Sequence, residues 1–255
     1  MFLASDIVPS RSFPPFYILF DSLFLVFLIA RLLVEKKRVA LLFSLAGGIL
    51  YFLVDFLIFY LALDTRVITF GENVLGPLGV ASVLFWRSRS YGITNFLIIY
   101  LALRHDKGLL KYSLTILRWW LVAPTLSERD KTGKRITTSR GTGNYHYVRA
   151  IILVVGYAFY LLYGAIKKKK RESILYLNLV GILVQLGWEF ALLVNGIRPS
   201  NEASIKTLLI DSLIETNLGR PYLCFIVEVI SRHFTEEGKR IIINKVTEDK
   251  TITDL

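Results

Sequence analysis

Long apolar runs separated by short charged segments make up most of this sequence. Several of the runs reach about 20 residues, the length of helix that crosses the hydrocarbon core of a bilayer. They predict seven membrane-spanning helices, over residues 14–34, 39–63, 74–103, 108–124, 148–166, 174–195 and 204–231. The expected fold is therefore an all-α polytopic membrane helix bundle, followed by a polar C-terminal tail.

Two of the seven runs allow a second interpretation. In residues 74–103, two apolar stretches of thirteen residues flank a short basic segment. We interpret this run as one long helix with Arg87 and Arg89 near its middle, and the alternative is two short interfacial or re-entrant pieces. Residues 108–124 predict a short fourth span, or else an amphipathic helix that lies in the membrane surface.

One run places its polar residues on a single helical face. In residues 174–195 they follow the spacing i, i+3, i+7 and i+11, which covers three turns of a helix. These residues are Asn178, Gly181, Gln185 and Glu189. A lipid-facing helix would not align its polar groups, whereas a helix that faces a polar cavity would. Because an ionisable group at membrane depth costs roughly 2.5 kcal/mol or more, Glu189 indicates a functional site.

The same spacing occurs 134 residues earlier, in the second apolar run. The matching positions are Ser44, Gly47, Tyr51 and Asp55. This match predicts an internal 3+1+3 repeat, and the alternative is chance similarity between two membrane hairpins. The predicted parts are a first three-helix repeat in residues 1–107, a linker helix and basic loop in 108–147, a second three-helix repeat in 148–234 and a polar tail in 235–255.

Composition and charge support a membrane location. The chain has 255 residues, of which 54% are hydrophobic, a value too high for a soluble domain of this size. Its net charge of +11 comes from loops between apolar runs, where positive charge sets topology and attracts anionic lipid rather than nucleic acid. The basic turns 35–38 and 167–171 are predicted to be cytoplasmic, which places the N-terminus outside. The basic loop 125–147 would then also lie outside, against the positive-inside rule.

The cysteine and histidine content predicts no metal site and no cofactor. Cys224 is the single cysteine, and it lies in an apolar run, so no intramolecular disulfide or cysteine-ligated metal is expected. The three histidines are far apart and lack the spacing of a zinc site. The predicted chemistry therefore depends on charged and aromatic side chains within the apolar runs.

Acidic and basic side chains both occur inside those runs. They are Asp55, Glu189, Asp211, Glu215 and Glu228, together with Arg87, Arg89 and Arg220. In a structural interpretation, Arg87 and Arg89 neutralise Asp55 and Glu189 and hold the bundle together. In a catalytic interpretation, a carboxylic acid in an apolar cavity stays protonated and protonates an epoxide or an alkene. Aromatic faces nearby would stabilise the resulting carbocation through cation–π attraction.

The order of the spans and their polar residues resembles a known family. Seven predicted spans occur in about 250 residues, and Trp188 precedes Glu189 within one of them. The last span is acidic and interrupted, with Asp211, Glu215, Asn217, Gly219 and Pro221. This combination resembles the small membrane-bound terpene cyclases of fungal meroterpenoid and indole-diterpene pathways. It departs from their pattern because the Trp-Glu pair lies in the sixth span, not the second, and because the early acid is aspartate.

The resemblance implies that an early and a late acid protonate an epoxide on a prenyl chain. Asp55 matches the early acid, and Asp211 or Glu215 matches the late one. We therefore predict a terpene-cyclase-like membrane enzyme that acts on a hydrophobic small molecule among membrane lipids; its oligomeric state is left open. The candidate catalytic residues are Glu189, Asp55, Asp211 and Glu215, and the candidate substrate-binding residues are Trp188, Tyr51, Gln185, Asn178, Arg87, Arg89 and Asn217.

Two other functions are compatible with the same residues. A small-solute transporter with a midplane polar site would resemble the SWEET-type sugar transporters, which are built from parallel three-helix repeats. An enzyme or flippase for a phospholipid or polyprenyl phosphate would use Arg87, Arg89 and Arg220 to bind phosphate through charge and hydrogen bonds. In that second case the arginines matter more than the carboxylates.

Overall fold

The computed structural model describes residues 7–127, 133–141, 145–166, 173–210, 212, 213, 217 and 219–230. Within these residues the chain is mostly helical, as the apolar runs predict. Asp211, Glu215, the basic turn 167–171 and the predicted tail 235–255 lie outside the described residues. The predictions made for them therefore stay predictions.

Each of the seven predicted spans contains helix. The helices are α1 (Phe16–Val34), α2 (Arg38–Leu53), α3 (Pro77–Leu103), α4 (Leu109–Ser127), α5 (Tyr145–Ile166), α6 (Ile174–Val194) and α7 (Glu202–Ile210). A π-helical segment, Val54–Ala62, continues α2, and a final helical segment covers residues 220–230. Helix α3 is a single helix, with Pro77 at its start, where the missing N–H of proline costs nothing. The interpretation of residues 74–103 as one helix is therefore confirmed.

Three helices are long and apolar enough to cross a membrane. They are Phe16–Val34, Arg38–Ala62 and Ile174–Val194, with mean hydropathies of 2.2, 2.2 and 1.8. Residues Ala150–Ile166 of α5 form a shorter apolar helix. The predicted polytopic bundle is thus supported for three spans, and the count of seven and the internal repeat stay predictions.

A four-stranded antiparallel sheet covers one end of the helices, and the all-α prediction missed it. Its strands are β1 (Ile7–Phe13), β2 (Arg66–Phe70), β3 (Asn73–Val74) and β4 (Ile136–Gly141), in the order β1-β4-β2-β3. Except for Val74, the first residue of the predicted third span, all of them belong to segments that the hydropathy pattern assigns to loops. In β2 the exposure alternates, since Arg66 and Ile68 are buried and Val67 is exposed. Half-burial of this kind is the normal pattern for a sheet packed on one face.

The sheet and the ion pairs at the opposite end fix which loops lie together. The sheet joins the segment before α1, the segment after the π-helical segment and the segment after α4. The backbone N–H of Ser12 also donates to the carbonyl of Ile197, which follows α6, at 2.9 Å. At the other end, Lys37 binds Asp106 at 2.6 Å, which connects the α1–α2 turn to the α3–α4 turn. Helices α1 to α4 therefore alternate in direction between the two ends.

Close packing of α2 against α3 positions the polar residues at the sheet end. A Cβ atom on Gly92 would lie 2.6 Å from the Cα of Gly48, so the two backbones meet where neither residue has a side chain. A Cβ on Gly47 would lie 2.1 Å from the ring of Phe96. Because the two helices are antiparallel and this close, Asp55 at the end of one faces Ser88 on the other.

Candidate functional site

Asp55 and Glu189, the two predicted acids that the structure describes, line one cavity. The cavity has a volume of about 110 Å³ and lies next to the sheet. Its walls include six of the predicted site residues, namely Asp55, Glu189, Tyr51, Gln185, Trp188 and Arg87. Two residues of each polar stripe therefore line the same cavity. They are Tyr51 and Asp55, on α2 and its π-helical segment, and Gln185 and Glu189, on α6.

The cavity lies near one end of the helices, not at the midplane where the transporter alternative would place its polar site. Glu189 is five residues from the end of α6 at Val194, which corresponds to roughly 7.5 Å at 1.5 Å per residue. Asp55 is the second residue of the π-helical segment. π-Helical turns within α-helices occur frequently at functional sites.

Asp55 is held by a strand residue and by α3. A guanidinium N–H of Arg66, in β2, donates to Asp55 Oδ1 in a buried ion pair. The Ser88 hydroxyl donates to Asp55 Oδ2 at 3.3 Å. Burial lowers the pKa of Arg66, and the Asp55 carboxylate opposes that shift by favouring the charged guanidinium.

Glu189 lies between two buried arginines. Arg11, in β1, donates to Oε1, and Arg198, in the loop after α6, donates to Oε2 at 2.7 Å. Gln185, one turn earlier on α6, donates to Oε1 at 3.0 Å. Glu189 and Arg198 are each only 1% exposed. All four carboxylate oxygens of Asp55 and Glu189 thus accept hydrogen bonds from protein donors.

Arg87 enters the same cavity from the middle of α3. Its guanidinium donates to the Thr138 hydroxyl at 3.5 Å, and it forms no salt bridge with any carboxylate among the described residues. Arg140, in β4, also lines the cavity and lies over the ring of Phe59, with 4.6 Å between the guanidinium carbon and the ring centroid.

The cavity is therefore positively charged. Four guanidinium groups, on Arg11, Arg66, Arg87 and Arg198, surround only two carboxylates, on Asp55 and Glu189. Arg11 and Arg87 line the cavity itself, whereas Arg66 and Arg198 bind the two carboxylates without being part of its lining. This leaves an excess of two positive charges before Arg140 is counted. Guanidinium groups form paired, planar hydrogen bonds with phosphate and carboxylate oxygens, so this arrangement is suited to a small anion.

Aromatic rings form one wall of the cavity. Tyr91 packs edge-on against Tyr51 with 5.2 Å between centroids, and it contacts Trp188 at 5.6 Å. Trp188 in turn packs edge-on against Trp120 of α4 at 5.0 Å. The Tyr91 hydroxyl donates to Gln185 Oε1, which connects α3 to the polar stripe of α6.

Three other predicted site residues lie away from the cavity. Arg89 donates to the Ser22 hydroxyl at 3.1 Å, so the predicted neutralisation of Asp55 or Glu189 by Arg89 is wrong. Asn178 accepts a hydrogen bond from the Tyr157 hydroxyl at 2.7 Å. Asn217 is buried, and its amide donates to the Leu213 carbonyl at 2.9 Å.

The arginine partners were missed because they come from segments outside the apolar runs. Arg66, Arg11 and Arg198 take the role that the sequence assigned to Arg87 and Arg89. Each lies within a few residues of a helix end, and that position was the available signal. The sequence also gave no role to Asp21, which is fully buried and accepts hydrogen bonds from Trp86 Nε1 and Ser90 Oγ, both at 2.9 Å.

Comparisons with protein-family models, with curated proteins and with solved structures found no match. The resemblance to terpene cyclases therefore stays a prediction from the sequence. Among the described residues, no group of three His, Cys, Asp or Glu side chains is arranged to hold a metal ion. Functional assignment rests on the cavity and its charges.

Proposed function

We propose that the chain is a multi-pass integral membrane protein whose cavity binds a phosphate-bearing molecule. The observation that supports this is the excess of two positive charges around Asp55 and Glu189. A phosphate monoester carries a charge of about −2 near neutral pH and has three strong acceptor oxygens. It would balance the excess charge and accept hydrogen bonds from Arg87 and from Arg11, whose Nε has no partner among the described residues.

The proposed architecture has seven spans arranged as two three-helix repeats and a linker helix. The convergence of Tyr51 and Asp55 with Gln185 and Glu189, their equivalents 134 residues later, supports the repeat. In the proposed orientation the basic turn 35–38 is cytoplasmic and the sheet lies on the outer side. The phosphate-binding cavity then faces the outer half of the membrane.

The size of the cavity favours a headgroup over a whole prenyl substrate. Pockets that enclose drug-sized molecules have volumes of roughly 300 Å³ or more, whereas this cavity has about 110 Å³. A phosphate group fits that volume, and a prenyl chain folded for cyclisation does not. The phosphate could come from the headgroup of a lipid or from a small soluble molecule, and the chemistry of recognition is the same for both.

Acid-catalysed cyclisation of a prenyl chain is the second candidate. Tyr51, Tyr91 and Trp188 line the cavity beside the two carboxylates, as the stabilisation of a carbocation would require. It ranks second because a general acid must hold a proton. All four carboxylate oxygens of Asp55 and Glu189 already accept hydrogen bonds from protein donors, so none of them is placed to carry a proton toward a substrate.

Binding measurements on the purified protein in detergent test the proposal. The probes are inorganic phosphate, a short-chain phosphatidic acid and farnesyl phosphate, titrated by calorimetry. The wild-type chain is expected to bind at least one of them, and the pattern across the three identifies a soluble or a lipid source. Arg87→Gln should weaken binding at least roughly tenfold, or 1.4 kcal/mol, the lower end for a hydrogen bond to a charged group. Arg104→Gln, at the far end of α3, is the matched control.

Two outcomes would contradict the proposal. One is a wild-type protein that binds none of the three probes, and the other is an Arg87→Gln variant that binds as tightly as the wild type. Mass spectrometry of lipids from cells that express the wild type or Glu189→Gln tests the second candidate. A new isoprenoid product that disappears in Glu189→Gln, with protein level maintained, would favour the cyclase.

A further inference from the structure

Another buried guanidinium lies deeper in the bundle, at the start of the final helical segment. Arg220 is only 1% exposed, and its Nε and Nη2 atoms form no hydrogen bond with any described residue. An unpaired guanidinium in a buried position is strongly destabilising unless something compensates its charge. At membrane depth such a group indicates a path or a site for an ion or substrate.

Arg220 packs against the polar stripe of α6. Gly181 lies one turn deeper than Gln185, and a Cβ atom there would be 2.1 Å from Asn217 Oδ1 and 3.1 Å from Arg220 Nε. The absence of a side chain at Gly181 is therefore what allows Asn217 and Arg220 to approach this helix. The stripe thus continues from the outer cavity to Arg220 along one face of α6.

A hydrogen bond at the edge of the outer cavity lies on the same stripe of α6. Tyr51 and Tyr91 line the cavity, with 5.2 Å between their ring centroids. The Tyr91 hydroxyl donates to Gln185, which lies between Glu189 and Gly181 on α6. The Tyr91–Gln185 hydrogen bond is therefore located between the carboxylate of the outer cavity and the part of the stripe that packs against Arg220.

We propose that Arg220 is an inner anion-binding station, which receives the phosphate group from the outer cavity when the Tyr91–Gln185 hydrogen bond opens. The inference rests on the proposed binding of phosphate in the outer cavity and extends it to translocation. The unpaired atoms match the ligand, because Arg220 Nε and Nη2 are donors for phosphate oxygens. Asn217 Oδ1, also without a partner among the described residues, is an acceptor for the hydroxyl of a protonated phosphate.

Transport into proteoliposomes tests the inner station. The probes are radiolabelled inorganic phosphate, for uptake, and a fluorescent phosphatidic acid, for movement between leaflets, so the two arms separate a soluble from a lipid source. Arg220→Gln is expected to lower transport at least tenfold, while calorimetric binding at the outer cavity stays within twofold of wild type. Tyr91→Phe keeps the ring and removes the hydrogen bond, and it should raise the transport rate. Arg104→Gln should transport like the wild type.

The outcomes separate this inference from the proposed function. If the wild type binds no phosphate probe, the proposed function fails. If it binds one and moves neither, or if Arg220→Gln transports like the wild type, only the inner station is wrong. Should Arg220→Gln fail to fold, Arg220→Lys replaces it, because lysine keeps the positive charge but lacks the planar guanidinium that forms paired hydrogen bonds. Arg220→Lys should show an intermediate loss of transport. A wild-type transport rate in Arg220→Lys would contradict the inference.

A purely structural role for Arg220 has its own signature. Glu215 precedes it by five residues and lies outside the described residues, so a pairing between the two is tested directly. Loss of thermal stability in both Arg220→Gln and Glu215→Gln, with recovery in the double variant, would show an ion pair. That result would overturn the inner station. If the losses of thermal stability in the two single variants simply add up in the double variant, the two residues are not paired, and this supports the inner station.

Discussion

Replacement of Glu189 by glutamine is the sharpest test of how the sheet is attached to the helices. The carboxylate is 1% exposed and binds Arg11 of β1 and Arg198 of the following loop. Glutamine has nearly the same shape but no charge, so both guanidinium groups lose their anion. Removing one partner of a buried ion pair typically costs about 3–5 kcal/mol. Arg198 keeps two hydrogen bonds to Ser204, which places the expected loss at the lower end, at about 3 kcal/mol.

Thermal unfolding in detergent, followed by tryptophan fluorescence, measures the loss. For a chain of this size, 1 kcal/mol corresponds to about 2–4 °C in Tm, so Glu189→Gln should lower Tm by roughly 10 °C. Glu72→Gln makes the same chemical change at an exposed position in the β2–β3 turn and is the matched control. If Glu189→Gln unfolds within 2 °C of Glu72→Gln, the ion pairs do not hold β1 against α6 and the reasoning is refuted.

The same variant connects stability with anion binding. Without the Glu189 charge the cavity is more positive, so an added anion should stabilise Glu189→Gln more than the wild type. A ligand at 100 times its Kd stabilises the folded state by about 2.7 kcal/mol, which would recover most of the loss. Equal Tm shifts in both proteins on addition of phosphate would mean that phosphate binds away from Glu189.

Two further predictions concern packing and pH. Gly92→Ala should destabilise the protein by about 1–3 kcal/mol, because the added Cβ would lie 2.6 Å from the backbone of Gly48. In Gly187→Ala, the control, the nearest atom from another part of the structure is 3.8 Å from the added Cβ, so this variant should be neutral or slightly stabilised. Thermal unfolding of the two variants side by side measures the difference. The hydrogen bond from Lys111 lowers the pKa of Glu35 from 4.5 to about 2. The stability that the folded state gains from this pair is therefore present above pH 4.5 and lost as the pH falls toward 2. Because the pair is partly exposed, the gain amounts to about 1 kcal/mol or less. Lys111→Gln should remove this pH-dependent part of the Tm when Tm is measured across the same pH range.

Hydropathy was sufficient to place the helices. Apolar runs of adequate length specify helix almost regardless of their neighbours, because the backbone must satisfy its own hydrogen bonds in an apolar environment. In residues 74–103 the sequence left two interpretations open. The structure shows why one helix is tolerated: Arg87 reaches the polar cavity and Arg89 reaches Ser22, so neither guanidinium is left in a wholly apolar contact.

The sheet could not be predicted in the same way. Its strands are short, and β1 pairs with β4 across more than a hundred residues, for example Ser12 with Thr137. Local pattern gives little information about pairings at such a separation. The candidate site was predictable to the same extent. The polar stripes predicted Asp55 and Glu189, but Arg11 and Arg66 lie in strands, whose positions depend on pairing within the sheet.

The arginines around the cavity come mostly from strands and a loop at the sheet end of the helices, and this position has an energetic reason. An arginine at the centre of a spanning helix costs about 2.5–3.5 kcal/mol during insertion. Arg11 and Arg66 lie in strands and Arg198 lies in a loop, so none of them adds this cost to a spanning helix, and each is paired with a carboxylate. Among the described arginines around the cavity, Arg87 is the one that lies in a helix. Strand β4 likewise brings Arg140 to the cavity, so this basic loop leaves one positive charge fewer at the membrane surface than its sequence suggests, which reduces the conflict between an outer position for β4 and the cytoplasmic position proposed for turn 35–38.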